Sequence, residues 1–162
     1  MSRPRVNEVK VVLLGDMGVG KSSIALRLVH DRFNANSVTT LTGAAADLIT
    51  AYASGGITGL GNEAVSVSSG TASTSQANTL AAATSGVVTA TLSDGDLSTL
   101  AGLTETGNAY TITITDTSVD AAALNTLDGK TTVAIDASTI TTLTGAAAEL
   151  STAFSSSGIT GL

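Results

Sequence analysis

A stretch of 22 residues occurs twice, and it limits the possible folds more than any other feature of the chain. Residues 39–60 read TTLTGAAADLITAYASGGITGL, and residues 141–162 read TTLTGAAAELSTAFSSSGITGL. Seventeen of the 22 positions are identical. The differences are Asp47 against Glu149, Ile49 against Ser151, Tyr52 against Phe154, Ala53 against Ser155 and Gly55 against Ser157. Repetition of this length implies units that bury their apolar faces by stacking on one another. A shorter phrase, Thr-Leu-x-Gly/Ala, has its leucine at Leu41, Leu80, Leu100, Leu127 and Leu143. Their spacings are 39, 20, 27 and 16 residues. With the first taken as two units, the period is about 20 residues, within the range of solenoid coils.

Short strands are expected after most of these phrases: AVSVS at 64–68, GVVTATLS at 86–93, AYTITIT at 109–115 and TTVAI at 131–135. Several alternate apolar and hydroxyl residues, the period-two pattern of a half-buried strand. Asp94, Asp116 and Asp136 stand at the strand ends. Short helical pieces are expected next, at 94–100, 118–127 and 136–143, with Asp and Ser as N-caps. The acids therefore read as caps rather than as catalytic groups. A longer helix is expected over 44–53, with Ala45, Leu48, Ile49 and Tyr52 on one face, Thr42 as its cap and Gly55-Gly56 as its stop.

Charge divides the chain near Asn36. Residues 1–36 hold six bases against three acids, a net of +3, whereas residues 37–162 hold one base, Lys130, against ten acids, a net of −9. Two compositions with a sharp join suggest two origins and two segments, 1–36 and 37–162. An acidic repeat segment and 2% aromatic residues argue against nucleic-acid binding. The absence of cysteine excludes disulfides, thiolate metal sites and prenylation. No apolar run is long enough to span a membrane, and the polar start MSRPRVNEVK does not open a secretory signal.

The first segment contains the one chemically legible motif. VKVVLL at 9–14 suits a strand buried on both faces. Gly15, Asp16, Met17, Gly18, Val19, Gly20, Lys21 and Ser22 then match G-x-x-x-x-G-K-[ST] in full, and Ser23 opens a helical pattern. The glycines let backbone N–H groups converge on phosphate oxygens, and the helix start adds its free N–H groups and dipole. Lys21 is positioned to reach the β- and γ-phosphates, and the Ser22 hydroxyl to ligate Mg²⁺.

The sequence VNEVKVVLLGDMGVGKSSIALRLVHDRFNANSVTT resembles the opening of a Rab-type small GTPase. The resemblance implies GTP or GDP with Mg²⁺ as cofactor, a phosphate loop over Gly15, Asp16, Gly18, Val19, Gly20, Lys21, Ser22 and Ser23, and a cytoplasmic location. It also places Thr40, 18 residues after Ser22, at the switch threonine that senses Mg²⁺ and the γ-phosphate. In the family an apolar residue and glycine follow that threonine; here Leu41 and Thr42 precede Gly43. The family's Asp-x-x-Gly and Asn-Lys-x-Asp motifs, which sense the γ-phosphate and read guanine, do not occur in these 162 residues.

Residues 37–162 resemble the Thr/Ala/Gly-rich tandem repeats of giant bacterial surface proteins, notably of marine cyanobacteria. The shared phrases are LNTLDG at 124–129, DAST at 136–139, LTGAAA at 41–46 and GITGLGNEAV at 56–65. That resemblance implies a structural or adhesive role at a cell surface and stacking with further repeats. The chain stops inside a unit, as a fragment would. The expected fold is α/β: a β–P-loop–α stub joined to a β-rich solenoid of ~20-residue units with short parallel strands and helical connectors. The expected function is a structural or adhesive repeat protein behind a phosphate-binding stub that does not switch. The alternative is a GTP-binding, small GTPase-like protein. NSVTTL at 36–41 fits both the approach to a Rab switch and the repeat phrase STITTL at 138–143. Such a shared stretch is where recombination, deliberate fusion or a mistaken joining of sequences would place the seam.

Overall fold

Alternation decides the architecture. In AVSVSS, Val65 and Val67 are buried while Ser68 and Ser69 are exposed. In VTAT, Val88 and Ala90 are buried while Thr89 and Thr91 are exposed. Each strand therefore presents one apolar face to a shared core and one hydroxyl face to solvent. A computed structural model of the chain describes residues 33–162. It is a mixed α/β structure in which every strand pairing is parallel.

In chain order the elements are β1 (Phe33–Asn34), β2 (Thr40–Ala44), α1 (Ala45–Ala53), β3 (Ile57–Thr58), β4 (Ala64–Ser69) and α2 (Thr74–Ala83). They continue with β5 (Val88–Thr91), α3 (Leu97–Leu100), β6 (Ala109–Thr111), β7 (Ser118–Asp120), α4 (Ala121–Asp128), β8 (Ile135–Asp136), β9 (Thr142–Thr144), α5 (Ala147–Ser155) and β10 (Ile159–Thr160). The main sheet has the order β2-β4-β5-β6. Three two-stranded sheets join β1 to β3, β7 to β9 and β8 to β10. Thr40 pairs with Ala64, Val65 with Val88, Thr89 with Ala109, and Ile135 with Ile159. One buried cluster runs from Ala45 to Ile159 and is made of Ala, Val, Leu and Ile with Tyr110 as its single aromatic member.

Side chains repeat the same spacing as the strands. Asp94 accepts the Thr74 N–H at 2.7 Å, 20 residues away, and Asp116 accepts the Leu97 N–H at 2.7 Å, 19 residues away. Asn108 accepts from Val88 at 2.8 Å, and Asn78 donates to the Gly102 carbonyl at 2.8 Å. Asn125 donates to the Glu149 carbonyl at 3.0 Å, 24 residues on. Thr131 both accepts the Tyr110 N–H and donates to the Tyr110 carbonyl.

The two sequence copies fold alike. β2, α1 and β3 have the same order and placement as β9, α5 and β10. Gly59 and Gly161 occupy matching positions with φ of +83° and +90°, where a Cβ would collide with Asn36 and Ser138 respectively. The correspondence also begins earlier than the sequence copy. Phe33-Asn34-Ala35 takes the place that Ile135-Asp136-Ala137 takes a hundred residues later. The Ala35 N–H donates to Thr58 as Ala137 donates to Thr160, and Val38 closes back on Ala35 as Ile140 does on Ala137. Asn34 accepts the Asn36 N–H as Asp136 accepts that of Ser138.

Several expectations change in detail. Residues 136–143 are not helical: a turn is followed by β9. The β-branched run Thr139-Ile140-Thr141-Thr142 disfavours a helix, and the Thr139 and Thr141 hydroxyls donate to the carbonyls of Ile114 and Thr117. Residues 118–120 form β7 rather than the start of a helix. α1 begins at Ala45 with Ala44 as N-cap, without a capping bond from Thr42. α2 was not expected at all, although Ser73 and Gln76 form a capping box that its sequence carries openly. The expected strand and helix of residues 9–32 lie outside the described residues.

Leu80 is fully buried and Thr79 beside it is exposed. Leu80→Ala is expected to lower unfolding stability by about 2–5 kcal/mol, and Thr79→Ala to stay within about 0.5 kcal/mol. Urea titration followed by far-ultraviolet circular dichroism measures both.

Candidate functional site

The phosphate-loop residues Gly15, Asp16, Gly18, Val19, Gly20, Lys21, Ser22 and Ser23 all lie outside the described residues. Thr40 lies within them. It is the first residue of β2, it is exposed, and its Cα partner is Ala64. Thr142 holds the same exposed place at the start of β9, where it pairs with Ser118. Among the described residues no three acidic or histidine side chains gather as a metal site.

Most acids among the described residues accept backbone N–H groups. Asp96 caps α3 by accepting the Thr99 N–H at 2.8 Å and also accepts from the Ser98 hydroxyl. These hydrogen bonds hold its carboxyl below the usual carboxylate range. Asp120 caps α4 by accepting the Ala123 N–H at 3.1 Å. Asp136 accepts the Ser138 N–H, and Ser138 likewise keeps the carboxyl acidic. Capping is thus the observed work of these acids, but Asp94 and Asp116 each cap the helix of the preceding unit rather than the helix that follows them. An open cleft of about 350 Å³ lies between α3 and α4, floored by Leu97 and Val119. Asp116 and Asp120 on its rim are the same two capping acids, so its chemistry is already committed.

The most unusual polar group is Glu63, which is 1% exposed. It sits in the turn before β4. Its carboxylate accepts the Gly61 N–H at 3.0 Å, the Asn62 N–H at 3.2 Å and the Tyr52 hydroxyl from α1. Its carbonyl accepts the Thr84 hydroxyl at 2.6 Å from the end of α2. Burial alone would raise its pKa, but the Tyr52 hydroxyl and the two backbone N–H groups outweigh burial and hold it below the usual value. Burial, then the hydrogen bond to Glu63, pushes the Tyr52 hydroxyl pKa up, so Tyr52 stays a proton donor. The node ties α1, the turn and α2 together. It is a fully bonded carboxylate and has no face open to a substrate. Sequence reasoning missed it, yet a signal was there: a lone acid between Gly61-Asn62 and the apolar start of β4.

Tyr110 is the second buried phenol, 1% exposed, and its hydroxyl has no hydrogen-bond partner. Burial, assisted by the charge of Glu105, pushes its pKa up to about 12.

The family match lies in the N-terminal region. Residues 10–56 match the family described as Ras of Complex, Roc, domain of DAPkinase. The Ras-related protein Rab-5B of Plasmodium falciparum is 63% identical over 34 residues, which are 21% of this chain and 16% of that protein. The Ras-related protein Rab-31 of Homo sapiens is 56% identical over 36 residues, 22% of this chain and 18% of that protein. The chain spans less than a fifth of the length of these relatives. No solved structure matches it. A short N-terminal region is therefore similar to Ras- and Rab-type GTPase domains, and no described helix is long and apolar enough to cross a membrane.

Two outcomes follow from the phenols. Tyr52→Phe removes a donor from the buried Glu63 and should destabilise by about 1–3 kcal/mol. Because the folded pKa of Glu63 is depressed, its contribution is complete above about pH 4.5 and is lost as pH falls through the folded value, so the penalty of Tyr52→Phe should shrink in acid. Tyr110→Phe removes a buried hydroxyl without a partner and should be neutral or stabilise by up to about 1 kcal/mol. Denaturant titrations from neutral pH down to below about pH 4.5 check both.

Proposed function

We propose that the chain is a structural repeat protein, structural or adhesive in role: a short solenoid of parallel strand–helix units from about residue 37 onward. It is preceded by a Rab-like segment over 1–36 that cradles phosphate without switching. The single observation behind the scaffold is the parallel ladder, in which strand pairing and side-chain bonds recur at separations of 19 to 28 residues. Its polar groups support the same reading. Asp94, Asp96, Asp116, Asp120 and Glu63 all accept backbone N–H groups, which supports a stabilising role for these acids. The repeat phrases support a role in building or coating a surface, with further repeats as partners.

A second reading is guanine-nucleotide binding through the N-terminal loop. It is favoured by the full G-x-x-x-x-G-K-[ST] match and by the similarity to Rab-5B and Rab-31. In that case Gly15, Gly18, Gly20 and Lys21 hold the phosphates of GTP or GDP, Ser22 ligates Mg²⁺, and Thr40 contributes from the start of β2. These are groups that fit the ligand by chemistry: backbone donors, one ammonium and one hydroxyl. Bound Mg²⁺ would supply charge neutralisation between the phosphates. No Asp-x-x-Gly or Asn-Lys-x-Asp accompanies them, which argues for a phosphate cradle that neither reads guanine nor responds to the γ-phosphate.

Titration of fluorescent GTP and GDP against the intact chain and Lys21→Ala separates the two readings. The scaffold reading expects weak, base-indifferent binding or none, with little difference between the proteins. Tight Mg²⁺-dependent binding that Lys21→Ala abolishes would overturn it in favour of the second.

A further inference from the structure

We infer that the chain assembles head-to-tail with further copies of itself, the β9–α5 edge of one molecule seating the β2–α1 edge of the next. The inference rests on the stacked-unit reading above. Its basis is a difference in burial between two copies of nearly the same sequence. On the side of α1 that faces α2, Ala45 and Leu48 are each 3% exposed and Tyr52 is half-buried. The matching residues of α5 are open: Ala147 is exposed, Leu150 is half-buried, and Phe154 is 65% exposed. The opposite side shows the reverse. Ala153 and Ile159 are buried at 1% and 7% exposure, whereas their counterparts Ala51 and Ile57 are only half-buried.

Each end of the described structure thus displays the half of a unit-on-unit contact that the other copy has covered. Strand edges agree with the helices. Among the described residues β2 is an edge strand of the main sheet, and β9 pairs with β7 on one side only. Phe154 also discriminates between occupants. Tyr52 donates to the buried Glu63, but Phe154 has no hydroxyl, so the unit that covers it must offer an apolar contact there rather than a carboxylate. The face of α1 that carries Ala51 meets that requirement. Because the two edges are different surfaces, the contact is heterologous and does not close by a two-fold axis; it extends as an open stack. Continuing the parallel register brings Thr144 of one molecule beside Thr42 of the next, as Thr42 lies beside Ser66 within one molecule.

The test is oxidative cross-linking of the full chain, which has no native cysteine. Neighbouring Cα atoms across a parallel pair are close enough for a disulfide. The double variant Thr42→Cys/Thr144→Cys should give a ladder of covalent oligomers, and Thr144→Cys alone should stay monomeric. Adding Phe154→Glu to the double variant should suppress the ladder while leaving the circular dichroism spectrum unchanged. Thr42→Cys/Ser66→Cys is the internal control and should form an intramolecular disulfide. Dimers from Thr144→Cys alone would overturn the head-to-tail arrangement in favour of a tail-to-tail one. A monomeric double variant beside a cross-linked control would overturn the inference and leave the stacked-unit reading standing. Failure of the control as well would overturn both.

Discussion

Everything in the described structure depends on parallel pairing between segments separated by about one unit of sequence. A parallel strand cannot satisfy its N–H and C=O groups with a neighbour joined by a tight turn, so each pairing needs an intervening connection. Here the connection is a short helix, and its orphaned N–H groups raise a second demand. The chain meets both with the same offset. Strands pair with the next unit, and Asp94 and Asp116 reach back to the helix starts of the previous one. A unit is therefore completed by its neighbours, both in its apolar core and in its hydrogen bonds. Close approach also explains the composition. Fully buried positions include Ala72, Ala77, Ala121 and Ala137, whose small side chains let the elements approach closely.

Much of this was legible where the cause is local. The hydroxyl–apolar alternation located β4, β5 and β6, and the apolar face of α1 was read from Ala45, Leu48, Ile49 and Tyr52. What could not be read was the partner of each polar side chain. Asp94 and Asp116 look like caps for the helices that follow them, because sequence proximity is the only geometry a sequence displays. Their actual partners are 20 and 19 residues earlier. Residues 136–143 failed for a related reason. Their β-branched residues are drawn into bonds with Ile114 and Thr117, contacts that exist only once the neighbouring unit is in place. α2 is different, since its capping box is local; weak amphipathicity hid it, for Ser, Gln, Asn and Thr interrupt the apolar face around Ala77 and Leu80.

Glu63 shows how a unit tolerates a charge inside such a core. A buried carboxylate is costly unless its lone pairs are filled, and here two backbone N–H groups and a phenol fill them. The node also couples sequence changes at distant points. Tyr52 is useful because its hydroxyl donates to Glu63; the matching residue of the second copy, Phe154, has no hydroxyl to donate.

The same logic bears on residues 33–38. They lie within the region that matches the Roc family, and their hydrogen bonds repeat those of residues 135–140. The substitutions explain how. Asn34 replaces Asp136 and keeps the side-chain oxygen that accepts the N–H two residues on; Ala35 and Ala137 are identical and buried; Val38 replaces Ile140 as the β-branched residue that closes the turn. These few residues suffice because a parallel ladder specifies hydrogen bonds and side-chain volume. Thr40 is then constrained twice. As the opening residue of β2 it must keep its backbone in register with Ala64, whatever its hydroxyl meets on the other side. A residue paired within a ladder of four strands can move only by breaking those pairings.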